Sequence, residues 1–178
     1  NISYTAFNES KNFLVALESK INAVLWGFGF NEIMSFSRSK DSYYTENNSN
    51  VKLLNALSND LNVLRSDMIF SGLEAIAYNC NRKNSDLKFF EIGSTYHQGD
   101  EEFKSYHELK HLTLFLTGDL FKENPHHRNK IADFAYLKST VVNLMDKCGI
   151  LNARSNESSY PHFDFGLRYE LNNKALVE

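Results

Sequence analysis

Residues 107–111 read His107-Glu108-Leu109-Lys110-His111, the H-E-x-x-H spelling that in zinc peptidases puts two imidazoles on one metal with a carboxylate beside it as base. That chemistry requires a helix, where residues four apart lie one above the other. Here His111 opens the run HLTLFLTG, in which Leu112, Leu114 and Leu116 alternate with Thr113, Phe115 and Thr117 until Gly118 stops it. Period-2 alternation with β-branched residues is a strand signal. On a strand His107 and His111 share a face but stand roughly 13 Å apart, too far for one metal. The Gly and His of the extended zinc motif are replaced by Leu114 and Thr117, and no downstream helix presents Glu123 as a third ligand. His126-His127 follow a proline in a polar stretch without Cys or carboxylate at ligand spacing, as in a solvated loop. The sequence therefore predicts no metal site.

Other chemical signatures are missing as well. There is no G-x-S-x-G, no G-x-G-x-x-G and no phosphate loop. Trp26-Gly27-Phe28-Gly29-Phe30 has two glycines but closes a helix, so it cannot offer helix N–H groups to a phosphate. Cys80 and Cys148 stand far apart, each near a helix end, and read as small buried hydrophobes in a reducing cytosol, with a disulfide or a reactive thiol as the other reading. Arg65 and Glu91 sit at the edges of apolar elements, where a charge needs a partner. A buried ion pair is one reading for them and a binding role the other. No catalytic, cofactor-binding or metal residue is assigned.

The positioning elements follow from periodicity. Leu14, Leu17, Ile21, Val24, Leu25 and Phe28 form one apolar stripe, predicting a helix over 8–28 that Gly27 and Gly29 can end. NEIMSFS (31–37) and VKLLN (51–55) read as short strands around the polar, Asn-rich loop 39–50. After an irregular segment, a second helix spans 66–80 and a strand spans 86–97; a charged loop over 98–110 leads to the strand at 111. A third helix covers 132–148 with Gly149 beyond its end. Residues 163–171 alternate at Phe165, Leu167, Tyr169 and Leu171, and Asn172-Asn173 then supplies a turn tolerant of positive φ before a hairpin partner at 174. Strands joined by short turns rather than by regular helical crossovers favour an α+β domain, an antiparallel sheet flanked by helices.

The chain of 178 residues, 42% hydrophobic and 13% aromatic, suits a single domain over 1–178. A formal charge of −3 gives no bulk attraction to nucleic acid or anionic membrane. No apolar run approaches the roughly 20 residues that span a bilayer, and the start lacks a signal peptide's basic and apolar regions. The first residue is not Met, and the chain stops just after a turn, so a piece of a longer protein is expected.

Three phrases carry a resemblance: GFGFNEIMSFSRSK, LLNALSNDLNVLRSDMIFSGLEAIAYNCNRKNSDLKFFEIGSTYH and ADFAYLKSTVVNLMDKCGI, in this order and spacing. Together they closely resemble the synthetase-like core of the β subunit of bacterial phenylalanyl-tRNA synthetases. The matched motifs are Gly29-Phe30-Asn31-Glu32-Ile33, Asn55-Ala56-Leu57-Ser58 through Arg65, Phe90-Glu91-Ile92-Gly93, and Lys138 followed by Ser139. Ala56 departs from the family's Pro, which affects a turn and nothing functional, and Ser139 stands in place of its Gly. The likeness covers nearly the whole chain.

The resemblance implies a class II synthetase-like fold that has lost its ATP- and amino-acid-binding residues. Catalysis then belongs to an α subunit, in an enzyme built as a dimer of αβ pairs. The whole enzyme attaches phenylalanine to its tRNA in the cytoplasm using ATP and magnesium, and tRNA is held by other domains of the full-length β chain. No cofactor belongs to this segment. The stretch DLKFFEIGSTYH has no arginine where a class II site needs one for the ATP α-phosphate; Arg82 lies in the preceding turn and Arg128 in a loop. By analogy with the class II dimerisation motif, the first helix and following strand face α. Trp26, Phe28 and Phe30 are the candidate interface residues, with local core packing as the competing reading. A different class of function, a dead synthetase paralogue regulating another enzyme, shares the same residues.

Overall fold

The computed structural model describes residues 13–44, 50–56, 58–99, 105–121, 130–158, 160 and 163–177. The chain divides into two compact units, Asn1–Leu137 and Lys138–Glu178.

In the first unit, α1 (Phe13–Gly27) leads into β1 (Asn31–Glu32), and residues 8–12 of the predicted helix lie outside the described residues. Gly29 adopts φ +80°, so the Phe30 N–H can turn back to the Leu25 carbonyl at 3.0 Å and close the helix. The same turn drives Phe30 inward beside Leu25; they are 2% and 0% exposed. The chain continues through β2 (Arg38–Ser39), which pairs antiparallel with β3 (Val63–Leu64). VKLLN is not a strand: only Lys52 bridges to Val63, because the chain turns at Leu54-Asn55. The start of the Asn-rich loop is pinned by aromatic contact, Tyr43 stacking on Phe70 at 4.9 Å and Tyr44 meeting the same ring edge-on at 5.3 Å.

Helix α2 (Ile69–Cys80) begins three residues later than predicted, where the Asp67 carboxylate accepts the Ile69 N–H at 2.6 Å. It is followed by the long hairpin of β4 (Leu87–Gln98) and β5 (Tyr106–Thr117), in register from Leu87↔Thr117 to Gln98↔Tyr106. The predicted loop over 98–110 is therefore too long. Tyr106–Lys110 is strand, because each of its residues finds a partner on β4 that the local charge pattern does not announce. Strand β1 adds to β4 in parallel, giving the order β1-β4-β5. The short pair β6 (Asp119–Phe121) and β7 (Lys130–Ile131) follows Gly118, which turns at φ +71°.

The two faces of β4 carry different cores. On one, Leu87 and Phe89 join Phe115 of β5, with Ile33 and Ile76 packed against them. Gly72 lets α2 lie on that face, since a Cβ there would overlap the Phe115 ring. On the other, Phe90 is fully buried, worth about 1.5–3 kcal/mol by area. Lys110 pairs with Glu18 of α1, and Lys88 Nζ reaches Tyr136 Oη at 3.1 Å. Tyr136 belongs to the first turn of α3 (Phe134–Lys147), where Asp133 accepts its N–H at 2.7 Å.

The second unit holds the rest of α3 and a three-stranded antiparallel sheet. Gly149 at φ +80° ends the helix, with Ile150 N–H bonded to the Met145 carbonyl at 2.9 Å. The sheet runs β10-β9-β8 from β8 (Arg154–Glu157), β9 (Leu167–Leu171) and β10 (Lys174–Val177). Asn172 and Asn173 turn the β9–β10 hairpin at φ 52° and 62°. Strand β9 is shorter than the predicted 163–171, and Phe165 stands 68% exposed outside it. Strand β8 has no sequence signal: Arg-Ser-Asn-Glu is exposed throughout and is a strand only because β9 lies beside it.

Candidate functional site

The H-E-x-x-H stretch lies wholly on β5, His107 opposite His97 and His111 opposite Gly93. The histidines are on one strand face and not on a helix, which removes the geometry a zinc peptidase needs. Among the described residues no group of three or more His, Cys, Asp or Glu is placed to hold a metal ion. Burial pulls the His111 imidazole below its usual pKa; nearby Asp67 opposes this, and His97 and Arg65 add to it. His126, His127, Glu123 and Arg128 lie outside the described residues.

The built polar feature of the fold is elsewhere. Arg65, at the end of β3, and Glu91, in the middle of β4, form an ion pair at 2.9 Å with both side chains 3% exposed. Of the two sequence readings, the buried pair is the one present. Arg65 Nε also donates to the Ser94 carbonyl at 2.8 Å, its N–H to the Ser37 carbonyl at 2.9 Å, and its carbonyl accepts from Tyr96 N–H at 2.9 Å. It thus clasps the segment after β1 to β4. Gly93 is required beneath it, because a Cβ there would overlap Arg65 Nη2 and stand 2.9 Å from the Met68 methyl.

The third member, Ser35, was not singled out from the sequence. Its hydroxyl lies 2.8 and 2.6 Å from the two Glu91 oxygens and accepts from Arg65 Nη1 at 2.7 Å. Its N–H donates to Glu91 Oε1 at 3.2 Å. That diversion explains why NEIMSFS is strand only at Asn31–Glu32. Ile33 still donates to the Phe90 carbonyl at 2.8 Å, but the next inward N–H goes to a side chain, and the ladder stops.

The alternation nevertheless persists. Ile33, Ser35 and Ser37 are half-buried, while Glu32, Met34, Phe36 and Arg38 point outward. Met34 is 96% and Phe36 81% exposed, an apolar pair bracketed by opposite charges. Trp26, on the last turn of α1, is 57% exposed. Of the three aromatics expected at an interface, Trp26 is at the surface, Phe28 is half-buried, and Phe30 belongs to the core through the helix-ending turn.

Strand β4 has no arginine, Phe89 is packed under α2, and both Glu91 oxygens are occupied. Arg82 is engaged with Tyr78, its guanidinium over the ring at 3.4 Å and Nη1 on the carbonyl at 3.0 Å.

The α+β architecture is matched in solved structures of pyrrolysyl-tRNA synthetase from Desulfitobacterium hafniense. One gives a TM-score of 0.66 at 18% identity over 92% of this chain and 55% of that one. A second gives 0.65 at 16% identity over 92% and 57%. The fold is therefore that of a class II synthetase. Within that class the chain belongs to the family of the phenylalanyl tRNA synthetase beta chain CLM domain, whose profile matches residues 3–174. It is 38% identical over 145 residues to the phenylalanine–tRNA ligase beta subunit of Bacteroides fragilis, covering 75% of this chain and 18% of that protein. The corresponding subunit of Bacteroides thetaiotaomicron is 39% identical over 145 residues, with the same 75% and 18% coverage. That of Porphyromonas gingivalis is 31% identical over 144 residues, again at 75% and 18%. The chain thus spans less than a fifth of the length of these relatives.

Proposed function

We propose that residues 1–178 act as one non-catalytic core domain of a phenylalanine–tRNA ligase β subunit, docking the catalytic α subunit. The whole enzyme would attach phenylalanine to its tRNA in the cytoplasm with ATP and magnesium, tRNA being held by other parts of the β chain. Among the described residues no helix is long and apolar enough to cross a membrane.

The observation that carries this reading is the outward row Glu32-Met34-Phe36-Arg38 with Trp26. Large apolar side chains exposed beside one another on an ordered edge mark an interaction site. A β4 strand without arginine, with Glu91 already engaged, supports assigning the chemistry to the partner.

The test is co-expression of the full-length β chain with its α subunit and size-exclusion chromatography of the product. Wild type should elute as a complex, and Met34→Asp with Phe36→Asp should weaken it at least tenfold. Failure of the wild-type chains to associate would refute the docking reading. ATP–pyrophosphate exchange dependent on phenylalanine by residues 1–178 alone would refute the non-catalytic one.

A further inference from the structure

We infer that the buried Ser35–Glu91–Arg65 cluster is a positioning device that holds the 33–37 edge in its docking conformation before the partner arrives. This inference rests on the docking role proposed above and names what prepares that surface.

Ser35 lies between the two exposed apolar residues, Met34 at 96% and Phe36 at 81%. A segment that leaves the backbone ladder after Ile33 has no sheet partner to keep it extended. Here side chains replace the ladder at Ser35, and a backbone bond to the residue beyond β3 takes over at Ser37. Ser35 N–H and Oγ are bonded to the Glu91 carboxylate, Oγ also accepts from Arg65 Nη1, and the Ser37 carbonyl accepts the Arg65 N–H. Arg65 is anchored in turn on β4 through Ser94, Tyr96 and Glu91. Every alternate inward group from Ile33 to Ser37 is thereby tied, and the outward side chains between them are fixed in direction.

A buried ion pair seldom adds net stability over apolar packing of the same volume, so its presence points to conformational specification. Pre-ordering the edge removes part of the ordering cost that association would otherwise carry. Arg65 and Glu91 touch no reacting group in this scheme; their role is exerted through Ser35.

The experiment compares Ser35→Ala and Ser35→Thr in the full-length β chain. Amide exchange is followed over residues 31–38 and, as an internal reference, over 87–98; affinity for the α subunit is measured in parallel. Ser35→Ala should speed exchange over 31–38 about tenfold, leave 87–98 protected and weaken α binding about tenfold. Ser35→Thr, which keeps the hydroxyl, should restore both. Unchanged exchange in Ser35→Ala overturns the inference, and so does faster exchange with undiminished affinity. Loss of protection over 87–98 as well would reduce the cluster to general structural support. Met34→Asp with Phe36→Asp separates the two readings: intact docking in that variant refutes the docking surface itself, whereas weakened docking with wild-type behaviour of Ser35→Ala refutes only the positioning role.

Discussion

Arg65 Nη1 stands 2.9 Å from Glu91 Oε1 across 26 residues of chain, with the two side chains each 3% exposed. Arg65→Met should leave a buried carboxylate with no cationic partner, only the Ser35 hydroxyl and N–H, and cost about 3–5 kcal/mol in urea unfolding. Arg65→Met with Glu91→Leu should recover much of that loss, because no charge is then stranded. A single-variant cost below about 1 kcal/mol would mean the pair is not desolvated as the structure has it.

Gly93 lies directly under the guanidinium, so Gly93→Ala should displace Arg65 or Met68 and lower stability by about 1–3 kcal/mol. Gly27→Ala is the contrasting case, since nothing lies within 4 Å of the added methyl. It should be neutral or slightly stabilising by thermal melting, as expected for alanine in a helix. Equal effects at both positions would contradict the packing.

His111 has a pKa lowered from 6.5 by burial, so the unfolded chain takes up its proton more readily than the folded one. The resulting stability is present above pH 6.5 and is lost as pH falls through the folded-state value. His111→Gln should flatten this part of the stability–pH curve, measured by denaturant titration between pH 7.5 and about 5. The amplitude is small because the imidazole is only partly shielded and the residue as a whole stands open to solvent on β5. A curve unchanged by the substitution would assign the acid sensitivity to other groups.

His107 and His111 on one strand face should bind no stoichiometric zinc, and His107→Ala should leave metal content and melting unaltered. Elemental analysis of purified protein decides this. One zinc per chain, lost with His107→Ala, would revive the peptidase reading.

Asn172 turns at φ 52°, a conformation that costs a β-branched residue roughly 1–2 kcal/mol. Asn172→Val should therefore loosen the β9–β10 hairpin, seen as faster amide exchange over 167–177. Asn173→Gly should tighten it slightly. The reverse order would mean that the turn does not have its observed form.

By itself the sequence determined the elements whose signals are local. Helix stripes, Gly29 and Gly149 at helix ends, the Asn-Asn turn and the Leu–Thr alternation of β5 all act through neighbours a few residues away. They placed the end of α1, and α2, α3, β4 and the β9–β10 turn, within a few residues of where they stand. The motifs matched across most of the chain also pointed to the right family. Only the tertiary structure decided the rest, because those outcomes depend on partners distant in sequence. Tyr106–Lys110 and the polar β8 became strands through β4 and β9. The neighbouring aromatics Trp26, Phe28 and Phe30 took different exposures because the turn at Gly29 sends Phe30 inward and leaves Trp26 at the surface. Arg65 and Glu91 each announced the need for a partner. That they would find one another, and that Ser35 would join them and end the β1 ladder, is set by a meeting of three segments that no local periodicity encodes.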